Sequence, residues 1–382
     1  MKILISGAGI AGLTLAYWLK RCGFMPTLIE KHPCSRKGGY KVDVRGAALE
    51  VAKRMGIYQA LIEANVNLNH SQFVTSDLKV FKFEGDILGH CSEGDVEINR
   101  WDLSQIISQA LGDVEIIYND SITKLDEKVV HFEKMAPREF DLVIGADGIH
   151  SKVRNLTFGE DSKFLRKYGI HFCIFPITNI FELVRSEIVY FDKGTLVSAY
   201  AVDGHSLACL AFKSEGDNLP QDNKKGIFEE RFKNMEWEIP RLITAMKAHD
   251  DCYFDSIAQV RMSNWSKGRV ALVGDAAYAA TGIGTSLAMV GAYVLASEIA
   301  RSGGNHALAF ARYEKVIRKF VEKGQNLSQS NLQFLANENS WLIKCQIKLM
   351  KMLPGKSIRL LSKWGRWQMK KAANAISLED YP

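Results

Sequence analysis

Two strand ends marked by glycine, about 260 residues apart, restrict what this chain can fold into. The first follows the apolar run Lys2–Ser6 and reads Gly7-x-Gly9-x-x-Gly12. Helical spacing follows from Leu13 to Cys22, then a second apolar run at Thr27 to Ile29 that ends on Glu30. This is the opening of a βαβ unit that binds a dinucleotide. Gly7 allows the tight turn, Gly9 lets backbone approach a pyrophosphate, and Gly12 lets the helix pack close to the strand. The uncapped helix N-terminus attracts phosphate, and Glu30 can bond a ribose hydroxyl. Lys31, beside it, joins the expected contacts. Glu30 alone does not separate NAD from FAD. The second strand end follows the apolar run at 270–273 and reads Gly274-Asp275, then small residues, Gly282, Gly284 and a helix rich in small residues. A carboxylate beside free helix N-terminal NH groups suits a second sugar-like or phosphate segment. Two separated half-sites for one dinucleotide point to a flavin rather than to a nicotinamide alone.

Composition sets few further limits. With 382 residues, 47% hydrophobic and 24% charged, the chain is ordinary globular material of about two domains. It has no run of 18 apolar residues, so no integral membrane contact is expected. Met1-Lys2 leads straight into a strand with no cleavage-type region, which reads as a cytoplasmic protein. The seven cysteines are scattered without a Cys-x-x-Cys pair, and the histidines are dispersed, so no metal site is expected. The net charge of +6 resides in the C-terminal part, where nine Lys and Arg lie between Glu338 and Glu379 with no acid among them. A solvated helix face explains that segment better than a nucleic-acid surface.

Along the chain, 46–64 and 101–111 read as helices, 71–98 as short strands, and 168–212 as an antiparallel sheet of alternating residues. A helical patch at 225–246 is expected to break at Pro240. A long helical region covers 285–334, and two terminal helices fall near 339–352 and 357–373. The nucleotide signatures lie in separated segments, so interleaved domains are expected. The fold class is α/β: a Rossmann-like domain (1–70, 97–167 and 265–304) interleaved with a mixed or antiparallel β-sheet substrate domain (71–96 and 168–264). C-terminal bridging helices (305–382) complete it.

A third motif sits between the first two: Asp141-x-x-Ile144-Gly145-Ala146-Asp147-Gly148-x-x-Ser151-x-x-Arg154. Alone, Ala-Asp-Gly is a common turn. In this order and spacing the three together resemble the class A flavoprotein monooxygenases, the para-hydroxybenzoate hydroxylase family, over about residues 1–335. That resemblance implies FAD held by Gly7, Gly9, Gly12 and Glu30 at the ADP half. It also implies Asp147 and Arg154 in the middle motif, and Gly274, Asp275 and Gly284 at the ribityl and pyrophosphate end. Arg100, in Arg-Trp-Asp-Leu, matches an arginine that contacts FAD in the family. A cation is disfavoured at a helix N-terminus, which suits an anionic partner there. The segment from Gly38 to Gly46 resembles a strand beside the flavin ring in the tetracycline destructases. This makes Asp43 a candidate contact and Arg45 a weaker one. The tail from Ala373 to Tyr381 matches the same subgroup and its polyketide-tailoring relatives.

Two departures from the family pattern stand out. Tyr278 occupies a position often held by His, and the loop 279–284 lacks proline and is about three residues short. The resemblance further implies NADPH or NADH as reductant, and O2 uptake as a flavin C4a-hydroperoxide. One oxygen atom then goes to an electron-rich aromatic or enol carbon of a small polycyclic substrate, with tetracycline inactivation as the leading expectation. An aromatic polyketide hydroxylase, a non-oxygenating flavin reductase and a flavin-binding module remain open. No catalytic side chain is required, because the flavin carries the chemistry. Phe172, Phe175, Phe191, Tyr200 and Phe212 are candidate substrate-lining residues. The protein is expected to be a monomer with no nucleic-acid partner.

Overall fold

A computed structural model of the protein describes residues 1–34, 40–75, 77–84, 94–192, 194–202, 204–214, 221–335 and 366–380. The expected apolar positions of the first terminal helix (Trp341, Leu342, Cys345, Leu349 and Met352) lie outside the described residues. So do Ile358, Leu361 and Trp364.

The nucleotide end is a six-stranded sheet in the order Ser266–Lys267, Val270–Leu272, Leu142–Gly145, Lys2–Ser6, Met25–Glu30 and Glu115–Tyr118. All neighbours pair in parallel except the first two. A parallel strand is covered on both faces, so its residues are apolar without alternation. Ile3, Leu4, Ile5, Leu142, Val143 and Ile144 are accordingly buried. The helix Ile10–Arg21 packs against Gly284–Arg301, which is buried nearly all round. Such a helix belongs to a core. The strands Lys41–Val44 and Val96–Asn99 form a separate two-stranded ribbon.

The other large sheet has seven strands, in the order Tyr253–Val260, Leu165–Pro176, His205–Lys213, Thr195–Val202, Ser186–Asp192, His70–Val74 and Val80–Glu84. It is antiparallel except where His70–Val74 runs beside Ser186–Asp192. Successive residues point to opposite faces. Cys173, Phe175, Tyr190, Val197, Leu210 and Phe212 share one core with Phe228, Phe232, Leu242 and Met246 of the helices Lys224–Phe232 and Ile239–Ala248. The opposite face carries Phe73, Phe172, Phe191, Tyr200, Tyr253 and Asp255. It meets the nucleotide end, where Tyr40 lies 6.1 Å from Tyr253 and Lys41 pairs with Glu187 at 3.1 Å.

Chain punctuation differs from expectation at two places. Pro240 does not break a helix; it occupies the first turn of Ile239–Ala248. A missing N–H costs nothing there, and the ring angle suits the helix. The long helical region divides into Gly284–Arg301 and His306–Leu335, with Gly303 and Gly304 at positive φ between them. Among the described residues no helix is long and apolar enough to cross a membrane.

The C-terminal tail returns to the nucleotide end. Helical residues 366–373 bury Met369, Ala372 and Ala373. The Glu379 carbonyl accepts from Arg54 at 2.7 Å and from the Tyr293 hydroxyl at 2.9 Å. Gly46 makes this docking possible. Its φ is +52°, and a Cβ there would lie 2.5 Å from the Ala373 carbonyl oxygen. Gly46→Ala should therefore lower stability by at least about 1–2 kcal/mol from backbone strain alone. The urea midpoint would show this, and limited proteolysis should cut the tail faster; an unchanged midpoint would refute the tail contact.

Candidate active site

The ends of the parallel strands open into a cleft of about 570 Å³, within the usual range for a small-molecule site. It is lined by Gly7, Gly9, Glu30, Lys31, Arg100 and Asp147, and extends to Tyr253 and Asp255 on the seven-stranded sheet. Gly7 has φ +104°, and a Cβ would sit 2.5 Å from the Ala146 carbonyl oxygen. At Gly12 a Cβ would fall 1.9 Å from the Gly7 carbonyl oxygen. Only hydrogen at these positions lets helix, turn and neighbouring strand end meet. No side chain caps Ile10–Arg21, and its first turn holds no acid, which leaves N–H groups for an anion. Glu30 spans the rim: its carboxylate accepts from the N–H groups of Ala8 and His32, each at 3.0 Å.

The middle motif is mostly a brace. Asp147 accepts from Ser151 Oγ at 2.5 Å and from the N–H groups of Lys152 and Val153 at 2.8 and 3.1 Å. It thereby satisfies the first N–H groups of the helix Lys152–Phe158, whose N-cap is Ser151. Burial pushes its carboxyl pKa up, and those hydrogen bonds pull it down. Arg154 is wholly buried. Its guanidinium donates to the Ala276 carbonyl at 2.8 Å and to Asp161 at 2.5 Å. The middle motif is thus tied directly to the Gly274-Asp275 turn.

That turn supplies the far end of the site. Gly274 has φ +65°, and a Cβ would lie 2.8 Å from the Ala11 Cβ. Asp275 is solvent-accessible yet ringed by protein. Crowding raises its pKa, the Arg100 charge opposes this, and Asp255 adds to it. A Cβ on Gly284 would lie 3.5 Å from Asp275 Oδ1, so this carboxylate sits beside the uncapped N-terminus of Gly284–Arg301. Arg100 closes the opposite side, with Nη2 3.7 Å from the position a Gly9 Cβ would take.

Other expected residues divide by position. Asp43 and Arg45 pair with each other at 2.6 Å, and Arg45 is 1% exposed. Its N–H donates to Ser286 Oγ at 3.0 Å. Arg45 is therefore buried, with its guanidinium paired to Asp43 and its main chain tied to the helix Gly284–Arg301. Phe172, Phe191 and Tyr200 lie on the cleft-side face of the seven-stranded sheet. Phe175 and Phe212 do not; alternation turns them into the core under the two covering helices, so they are not substrate-lining residues.

Three residues without a sequence signal join the cleft: Tyr253, Asp255 and His150. The Tyr253 hydroxyl donates to Asp255 at 2.6 Å, and His150 Nε2 lies 3.9 Å from the same carboxyl. Asp255 raises the His150 pKa, burial opposes this, and Asp161 adds to the rise. Only the alternation of 253–260 could have suggested which residues face the cleft.

The sequence profile of the family described as "FAD binding domain" matches residues 1–322. A flavin-dependent monooxygenase of an unknown prokaryotic organism is 39% identical over 85% of this chain and 87% of its own length. A flavin-dependent monooxygenase of Legionella longbeachae is 34% identical over 100% of this chain and 98% of its own. The chain is a class A flavoprotein monooxygenase. Its fold also matches the crystal structure of tetracycline destructase Tet(51), with a TM-score of 0.85, 32% identity and coverage of 100% and 99% of the two chains.

FAD is the cofactor of this monooxygenase, and the residues present fit it. Gly9 presents bare backbone to the cleft beside Arg100, one uncapped helix end can take the pyrophosphate, and the carboxylates of Glu30 and Asp275 stand at either end. Glu30→Ala removes the acceptor shared by two rim N–H groups. It should weaken FAD binding by about tenfold or more, read from flavin absorbance after gel filtration; retention equal to wild type would remove Glu30 from the site. His150 should titrate above its ordinary 6.5, because its charged form is favoured in the folded protein. Its small contribution is present below that pH and lost as pH rises through the folded pKa. Asp255→Asn should bring the His150 pKa down, as followed by NMR; no change would break the link.

Proposed function

We propose that this monooxygenase uses NAD(P)H and O2 to insert one oxygen atom into tetracycline-like polycyclic substrates, inactivating them. The observation that carries this reading is the end-to-end similarity to a tetracycline destructase, which spans the seven-stranded sheet and the tail as well as the nucleotide end. Bound FAD supplies the two-electron reduction and oxygen activation.

The chain's residues supply binding and orientation. Gly7, Gly9 and the uncapped N-terminus of Ile10–Arg21 hold the pyrophosphate, while Glu30 orients a ribose. Asp275, opposed by Arg100, orients the ribityl segment beside Gly284. On the sheet, Phe172, Phe191 and Tyr200 offer flat apolar surface to fused rings, and Phe73 stacks on Phe191 at 6.1 Å. Burial pushes the Tyr200 and Tyr253 hydroxyls above the usual phenol range, so both remain neutral donors at working pH. The apolar sheet face and the strand Lys41–Val44 beside it exclude water from bound substrate.

Purified FAD-loaded protein should oxidise NADPH and consume O2 at least about tenfold faster when tetracycline is added. The product should be heavier by about 16 mass units, one oxygen atom. Stimulation by other phenols alone would replace the tetracycline reading with a polyketide-tailoring one. Bound FAD with no NAD(P)H oxidation across a phenol panel would leave a flavin-binding protein.

A further inference from the structure

The loop 279–284 connects the Gly274-Asp275 turn to the helix Gly284–Arg301. It is short, has no proline, and leads to Gly284 beside the Asp275 carboxylate. Its support comes from the long helix His306–Leu335, through two contacts of different kinds. Gly324 packs against it so closely that a Cβ would lie 3.1 Å from Ile283 Cγ2 and 3.4 Å from Leu287. The adjacent Gln325 is 3% exposed. Its Nε2 donates to the Val260 carbonyl at 2.8 Å and to the Ala279 carbonyl at 3.3 Å. Both neighbours are carbonyls, so the amide's orientation is fixed by chemistry. The backbone of Gln325 is held in turn, because Gln259 Nε2 donates to its carbonyl at 2.8 Å. Gln259 is 0% exposed, and its Oε1 accepts from Arg261 Nε at 3.1 Å.

We propose that Gln325 is a positioning residue for the FAD site. Its side-chain amide fixes the loop 279–284 against the Val260 end of the strand Tyr253–Val260, and so holds Gly284 beside the Asp275 carboxylate. Three segments meet at this amide, the loop, the end of the strand and the long helix, and the adjacent Gly324 meets the start of Gly284–Arg301 through Ile283 and Leu287. A buried donor with two carbonyl acceptors has no apolar equivalent. Replacing it leaves both carbonyls without that donor. An apolar contact of the same size would fill the volume but would not fix the spacing.

The test compares Gln325→Met, which keeps the length and loses both donors, with Phe320→Leu, a buried change on the same helix that leaves the Gln325 amide in place. Hydrogen–deuterium exchange is measured on FAD-free protein, and the visible flavin spectrum on FAD-loaded protein. In Gln325→Met, exchange over 280–287 should rise about tenfold, while exchange over the glycine turn at 7–12 should stay at its wild-type rate. The bound-flavin spectrum should shift in shape. Phe320→Leu should leave the spectrum at wild type and raise exchange over 280–287 much less. Wild-type exchange and spectrum in Gln325→Met, or equal effects from Phe320→Leu, would overturn the proposal. If Gln325→Met is insoluble, Gln325→Asn keeps the donors but shortens their reach. The same local rise in exchange is then expected, and unchanged protection would refute the assignment.

Discussion

The structure depends on a backbone approach. At Gly274 the later strand end comes so near the first helix that a Cβ would stand 2.8 Å from Ala11 and 3.6 Å from Ala288. Two segments separated by most of the chain thereby meet at one junction, which brings the turn before Asp275 against the helix that follows the glycine turn. Arg154 secures the same junction from beneath through the Ala276 carbonyl. A buried guanidinium is costly unless its donors are met. Here its two terminal nitrogens meet Ala276, Ile149 and Asp161 while Nε is left without a partner, so it braces the junction without entering the cleft.

A second seam joins the two-stranded ribbon to the large sheet. Lys41 bonds Glu97 at 2.9 Å and Glu187 at 3.1 Å, and Ser71 donates to Glu187 at 2.7 Å. The Lys41 ammonium also lies 5.5 Å from the Tyr200 ring. Desolvated ion pairs add little net stability but tolerate few alternative geometries. An apolar seam would permit sliding, whereas this one fixes the register between the strand Lys41–Val44 and the cleft-side face of the large sheet.

Much of the nucleotide end was legible in the sequence because its constraints are local. Gly7, Gly9, Gly12 and Glu30 sit at fixed offsets from a strand, and Gly274 and Asp275 do likewise. The sheet face was less legible. Alternation separates Phe172 from Phe175 and Tyr200 from Phe212 only once a face is assigned, and that assignment comes from Phe228 and Phe232, which are distant in sequence. Arg45 was offered only by the resemblance of its segment; the structure adds that its guanidinium is buried against Asp43 and its main-chain N–H is tied to the hydroxyl of Ser286. Tyr253, Asp255 and His150 have no motif, since two chain segments must meet before they form a group. Gln325 was hidden in the same way, as an unremarkable polar position on a long helix.

The interleaving also bears on how the protein is made. The parallel sheet waits for Val270–Leu272 to flank Leu142–Gly145, and the large sheet waits for Tyr253–Val260 to cover the edge of Leu165–Pro176. These late strands lie close together in the chain, so both sheets are completed almost at once after a long interval with open edges. Sheets built from distant segments fold slowly, and unpaired edges invite association. For a nascent chain on the ribosome, protection by a chaperone therefore matters most before residue 272 emerges.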